Sequence, residues 1–249
     1  MISATTLDQY IRQLLNIDQF SDYCPNGLQV EGIKPIRKLI TGVTASQALL
    51  NAAVDEKADA IVVHHGYFWK GEPAPLIGMK FRRVRTLIIH DIHLFAYHLP
   101  LDAHPVLGNN AQVCNVLTAV PVSRFGEQQI GIIAELAVPM SLTRFQTLAE
   151  SVFQRTVFTA GPLEKQITKI AVCTGGGQSF FSDAIAQNVD LFLSGEISEH
   201  NVHMAVETGV NYMAAGHHAT ERFGIQALGM HLGSRFDLDV KFIDQDSGV

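Results

Sequence analysis

Histidines gather where apolar runs stop. His64 and His65 follow Ala60-Ile61-Val62-Val63, His98 follows Leu94-Phe95-Ala96-Tyr97, and His217 and His218 follow Asn211 to Ala215. In sheets of parallel strands the carboxyl ends are where loops converge on a ligand, so three clusters at such ends point to one kind of site. His217-His218-Ala219-Thr220-Glu221 is the sharpest of them. A helix starting near Gly216 would put His217 and Glu221 four residues apart on one face, an arrangement that holds divalent metals. His64 and His65 are neighbours on a strand and would point to opposite faces, but a turn at the strand end lets both reach one cavity. Asp102, four residues after His98 in a Pro-containing loop, adds a hard anionic oxygen. His64, His65, Asp102, His217 and Glu221 together make five ligands, more than one structural zinc takes and suited to two ions bridged by a carboxylate and water. Imidazole and carboxylate without thiolate suits iron, manganese, zinc or nickel alike.

Other residues near these clusters carry open readings. The turn Thr174-Gly175-Gly176-Gly177 could receive a phosphate on its N–H groups or simply allow tight packing; it has neither the Lys-Ser/Thr of a Walker loop nor a dinucleotide fingerprint. Glu196 is expected either to hydrogen bond a ligand in the same cavity or to be solvated. Trp69 and Phe68 could wall a pocket for a nucleobase or serve packing. His104, His200 and His203 are outer contacts or plain surface, and His90, His93 and His231 read as structural. Lys80, Arg82, Arg83 and Arg85 form the one basic cluster, read as a solvated helix face.

The elements that must position these groups alternate. Leu7, Ile11, Leu14 and Leu15 after Thr5-Thr6 predict a capped amphipathic helix, followed by an irregular stretch from Ser21 to Gly32 with a turn at Pro25-Asn26-Gly27. Lys38 to Val43 reads as a strand, Ser46 to Glu56 as a helix, and Ala60 to Val63, Leu87-Ile88-Ile89 and Leu94 to Tyr97 as strands. Shifted by 131, Lys38 to His65 lies on Lys169 to Glu196 without a gap, with Lys38/Lys169, Gln47/Gln178, Ala53/Ala184 and Asp59/Asp190 coinciding. Each copy reads as a β-α-β unit. Between them, Ile130 to Ala134 and Thr156 to Phe158 read as strands and Ser141 to Phe153 as a capped helix. The fold class is therefore α/β: two similar β-α-β-containing halves, residues 1–123 and 169–249, with a small α+β insert at 124–168.

The 249 residues suit two compact units at about 150 residues per domain. A net charge of −6 gives no footprint for general nucleic-acid binding. No apolar run reaches the ~18 residues that span a bilayer, and no signal-peptide core is present, so the expected location is the cytoplasm. Cys24, Cys114 and Cys173 are odd in number and lack C-x-x-C spacing, which supports neither a disulfide framework nor a thiolate zinc site.

Four segments in order, Ser21-Asp22-Tyr23-Cys24-Pro25-Asn26-Gly27-Leu28-Gln29-Val30-Glu31-Gly32, His64-His65-Gly66-Tyr67-Phe68-Trp69, His98-Leu99-Pro100-Leu101-Asp102-Ala103-His104 and Gly216-His217-His218-Ala219-Thr220-Glu221, resemble the GTP cyclohydrolase 1 type 2 family, also called Nif-three-like, and above all its short bacterial members. The resemblance runs from about Asp8 to Ile243 and is weakest from Arg124 to Gln166. It implies two divalent metal ions per chain at His64, His65, Asp102, His217 and Glu221, with Glu221 bridging, and a ring-shaped homohexamer. The implied activity is hydrolysis that opens the guanine ring of GTP or a related nucleotide. In that reading His65 and Asp102 hold one ion, His64 and His217 the other, and His98 transfers a proton or orients a ligand. The alternative is a metal-binding ring without turnover, acting as a scaffold, regulator or metal-delivery protein.

Overall fold

The computed structural model describes residues 1–162 and 164–248; residue 163 of the expected insert and the last residue of the expected second half lie outside it. The chain forms two compact units, Met1–Leu107 with Ile225–Gln245, and Gly108–Gly224 with Asp246–Val249. The C-terminal segment returns to the first sheet, so the first unit is built from two stretches of chain.

In the first unit, helix α1 (Ala4–Leu15) is capped by Ser3, whose hydroxyl accepts from the Thr6 N–H, and not by the threonines that follow. Its Leu7, Ile11 and Leu15 are buried. Then come β1 (Gly27–Val30), β2 (Lys38–Thr44), α2 (Gln47–Asp55, capped by Ser46), β3 (Ala60–His65), α3 (Gly78–His90), β4 (His93–Ala96) and α4 (Leu99–Ala103). Three expectations are corrected here. Part of the stretch expected to be irregular is β1, an edge strand antiparallel to β4. Leu87-Ile88-Ile89 is not a strand but the last turn of α3, where Leu87 is buried and Ile88 and Ile89 are exposed; one buried position in three is helical, and the basic cluster lies on this helix. Asp102 stands in a short helix that Pro100 helps to start, not in a loop.

The first sheet has the order β1-β4-β3-β2-β11, where β11 (Asp239–Phe242) pairs parallel to β2. β2, β3 and β4 are mutually parallel. Such strands are covered on both faces and read as continuous apolar runs. Ile61 and Val63 pack with Leu49, Leu50 and Leu87 of α2 and α3, whereas Val62 packs with Leu7 and Ile11 of α1 and with Leu228 and Leu232. The two-residue period of a strand thus divides its side chains between the layers.

The second unit holds α5 (Asn109–Val116), β5 (Ala119–Phe125), β6 (Gly131–Ser141), α6 (Leu142–Phe153, capped by Ser141), β7 (Phe158–Ala160), β8 (Gln166–Cys173), α7 (Phe181–Ile185), β9 (Leu191–Ser194), α8 (Glu199–Thr208) and β10 (Asn211–Ala214). Helix α9 (His217–Phe236) begins in this unit, and its residues from Ile225 on belong to the first. The sheet order is β5-β6-β8-β9-β10-β7, with β8, β9 and β10 parallel and β5, β6 and β7 joined antiparallel. The residues between the repeat copies therefore extend this sheet on either side of the second copy.

The repeat is visible bond by bond. Asp59 Oδ2 accepts from Arg37 N and Lys38 N at 2.9 Å each, and Asp190 Oδ2 accepts from Thr168 N and Lys169 N at 2.9 and 3.0 Å. Asp59 N donates to Lys38 O as Asp190 N does to Lys169 O, and the next strand is reached through His93 N to Asp59 O and Asn211 N to Asp190 O. In each unit an aspartate in the short turn after the helix locks the start of the first strand to the start of the second.

Candidate metal centre

In the first unit the donors stand at the carboxyl ends of β3 and β4. His64 is fully buried, and its Nδ1 lies 3.0 Å from the Tyr97 carbonyl oxygen. A carbonyl only accepts, so Nδ1 carries the proton and Nε2 is the nitrogen that could meet a cation. His64 Nε2 lies 3.5 Å from Asp102 Oδ2, and Asp102 is itself buried. His65 Nδ1 is 3.1 Å from Thr44 Oγ1 on the neighbouring strand. Although successive on β3, the two histidines converge: each offers a nitrogen within 4.8 Å of the other and of one on His98. The ring centroids are 4.6 Å apart for His64 and His65, 5.0 Å for His64 and His98, and 5.6 Å for His65 and His98. Trp69 closes the group edge-on to His98 at 5.0 Å and tilted to His65 at 6.0 Å, so it walls the site. Phe68 is partly exposed beneath Lys80.

Sequence reasoning missed Asp22. Its Oδ1 is 2.7 Å from His98 Nδ1 and accepts from Tyr23 N at 2.6 Å, while Oδ2 accepts from Asn26 Nδ2 at 2.8 Å and Leu99 N at 3.0 Å. Burial by itself would raise the Asp22 pKa, but the hydrogen bond and charge of His98, with the bonds from Asn26 and Tyr23, hold it below the usual carboxylate value. The signal that could have found it is the Asp22-x-x-x-Asn26 spacing in a turn, which lets two side chains grip another backbone. Cys24 lies beside this pair; burial and the Asp22 charge push its thiol up to about 12, so it stays protonated. The three cysteines form no disulfide.

In the second unit His217 opens α9. Its Nε2 is 3.2 Å from Glu221 Oε2, one turn on, and its Nδ1 is 2.6 Å from Glu196 Oε1. Glu196 thus reaches His217 from a part-exposed position, and its other oxygen accepts from Gln178 Nε2 at 3.1 Å. Burial pushes the His217 imidazole down, but the bond to and charge of Glu221, then those of Glu196, prevail and raise it to about 9. Glu221 is 3 % exposed.

In the glycine turn, close packing leaves no room for a side chain at Gly175. Gly175 has φ +61°, and a Cβ there would lie 1.9 Å from Glu221 Oε1 and 3.1 Å from His217 Nε2. Thr174 N donates to Asn110 Oδ1 at 2.8 Å and Gly175 N to Thr220 Oγ1 at 3.0 Å, so these N–H groups are engaged within the protein. Five of the remaining histidines are engaged or exposed elsewhere. His104 Nδ1 accepts from Val106 N and Leu107 N. His200 and His203 are exposed on α8. His93 ties Gly32 N to Lys34 O, and His231 meets the Tyr10 hydroxyl at 2.6 Å.

The first unit therefore gathers His64, His65, His98 and Asp102, and the second pairs His217 with Glu221. This donor set fits divalent cations. In His64, His65 and His217 a protein oxygen meets Nδ1, so Nε2 is the nitrogen each could offer to a cation, an arrangement that supports metal-bound imidazoles.

Residues 2–248 match the family description Duf34/NIF3 (NGG1p interacting factor 3). The chain is 50% identical over 240 residues to a Yersinia pestis protein described as GTP cyclohydrolase 1 type 2 homolog, covering 96% of each chain. It superposes on a solved structure titled protein ybgI, unknown function, with a TM-score of 0.96, 46% identity and full coverage of both chains. A crystal structure from Thermus thermophilus follows with a TM-score of 0.88 and 32% identity over 98% of this chain and 99% of that one. On a match across nearly its whole length, the chain belongs to the Duf34/NIF3 family.

Proposed function

We propose that the chain is a dinuclear metal-dependent hydrolase that opens the guanine ring of GTP or a related nucleotide, working in the cytoplasm as a ring-shaped homohexamer. His65 and Asp102 would hold one divalent ion and His64 and His217 the other, with Glu221 shared between them. Iron, manganese, zinc and nickel all suit these donors. Two bound cations supply Lewis acidity and a water acidified into the neutral range. The chain's own residues do the rest. The tethered Nδ1 atoms of His64, His65 and His217 orient the ligating nitrogens. Trp69 shields the histidines from solvent on one side and offers an aromatic wall to a flat base. His98, with Nδ1 on Asp22, presents Nε2 for moving a proton to or from the opening ring. The observation that carries the reading is this juxtaposition of His98 with His64 and His65. The GTP substrate is supported by the sequence resemblance and by what the Yersinia pestis relative is called.

The test combines metal analysis with turnover. Protein purified without a histidine tag should contain about two divalent ions per chain. It should convert GTP or another guanine nucleotide, and His98→Gln should slow this about 10²-fold at unchanged metal content, the size of one lost acid–base group. Fully loaded protein that turns over no nucleotide would overturn the hydrolase in favour of a metal-binding scaffold.

A further inference from the structure

Asp22 lies outside the metal donors, yet its carboxylate is fully engaged beside them. Its side chain is 4 % exposed. A carboxylate offers about four acceptor positions, and four donors occupy them here: Tyr23 N and His98 Nδ1 on one oxygen, Asn26 Nδ2 and Leu99 N on the other. The Asn26 side chain closes the ring, since its Oδ1 accepts from the His98 backbone N–H at 2.7 Å while its amide nitrogen donates to Asp22. One turn of five residues thus grips the side chain of His98, its backbone N–H and the N–H of Leu99. Asp22, Cys24 and His98 also come within ligand distance of one another, but a carboxylate already accepting four hydrogen bonds has nothing left for a cation.

We infer that Asp22, seated by Asn26, is a positioning residue that fixes His98 in the tautomer with the proton on Nδ1, so that Nε2 faces the metal donors as a proton acceptor. An ionised carboxylate can only accept, so the nitrogen it meets must donate. Turning the ring over would break the Nδ1 bond to Asp22, while the backbone at His98 and Leu99 is held by the same two side chains. The functional consequence rests on the reading of His98 as the proton-transfer group; the tautomer itself does not.

The test reads the proton directly. Full-length protein labelled with 15N-histidine and loaded with diamagnetic zinc is examined by magic-angle-spinning NMR, and His98 is identified by subtracting the spectrum of His98→Gln. The wild-type ring should show a protonated Nδ1 and an unprotonated Nε2. In Asp22→Asn the amide keeps two bonds with its oxygen towards Leu99 N and Asn26 Nδ2 and gives up the one from Tyr23 N, which turns its NH2 group onto His98 Nδ1 and drives the proton to Nε2. Turnover of the guanine nucleotide should then fall between about 10²- and 10⁴-fold, mostly in kcat, with zinc content unchanged. A wild-type His98 carrying its proton on Nε2 would overturn the inference, and that measurement does not depend on the variant folding. So would Asp22→Asn that keeps Nδ1–H and full turnover. A tautomer that switches as expected in protein that turns over no nucleotide upholds the positioning role and sinks the hydrolase.

Discussion

His217 stands between the carboxylates of Glu196 and Glu221, and this has a consequence for stability. Without metal the folded imidazole titrates at about 9, against an ordinary value of 6.5. A group whose pKa is raised on folding stabilises fully below its unfolded value and stops doing so as pH rises through the folded one. The metal-free protein should therefore lose thermal stability between pH 6.5 and about 9, and Glu196→Gln should flatten that part of the profile; thermal scans in chelator across the range check both. Metal affinity should rise over the same interval, because a ligating imidazole must first shed its proton. His217 and Glu221 were legible as a pair from their spacing of four. Their third neighbour, Gly175, was not, because what excludes a side chain there is Glu221, 46 residues away in the chain.

Among the elements, the repeat makes the firmest statement. Asp59 and Asp190 each accept two backbone N–H bonds at the start of the first strand of their copy. Asp59→Ala and Asp190→Ala should each destabilise their unit by about 1–2 kcal/mol, the cost of leaving part-buried donors without a protein partner. Denaturant titration of both variants measures it, and a loss in one but not the other would break the equivalence of the two turns. The strands and helices of the repeat were readable because each carries its own period of apolar residues. The failures were of another kind. Leu87-Ile88-Ile89 is too short a run to tell strand from helix, and only the burial of Val84 and Leu87 on one face settles it. β1 has little strand character of its own and exists because β4 offers it an edge.

For the molecule as a whole, the ligands of the proposed centre should not weigh equally. On that proposal Glu221→Ala would remove a ligand from both ions, whereas His64→Ala would remove one bond from one ion. Elemental analysis after dialysis should therefore find less metal in the Glu221 variant than in the His64 variant, and Glu221→Ala that keeps two tightly held ions would refute the bridge. The sequence by itself determined the α/β class, the repeat and the residue types of the donors, because apolar periodicity and the polar residues that end each run are local properties of the chain. Tertiary structure alone decided what surrounds those donors. Asp22 reaches His98 across 76 residues, the C-terminal strand β11 returns to pair with β2, and β5, β6 and β7 widen the second sheet. The first two, and the pairing of β7 with β10, depend on segments far apart in the chain, and a pairing between distant segments leaves no periodic trace in either one.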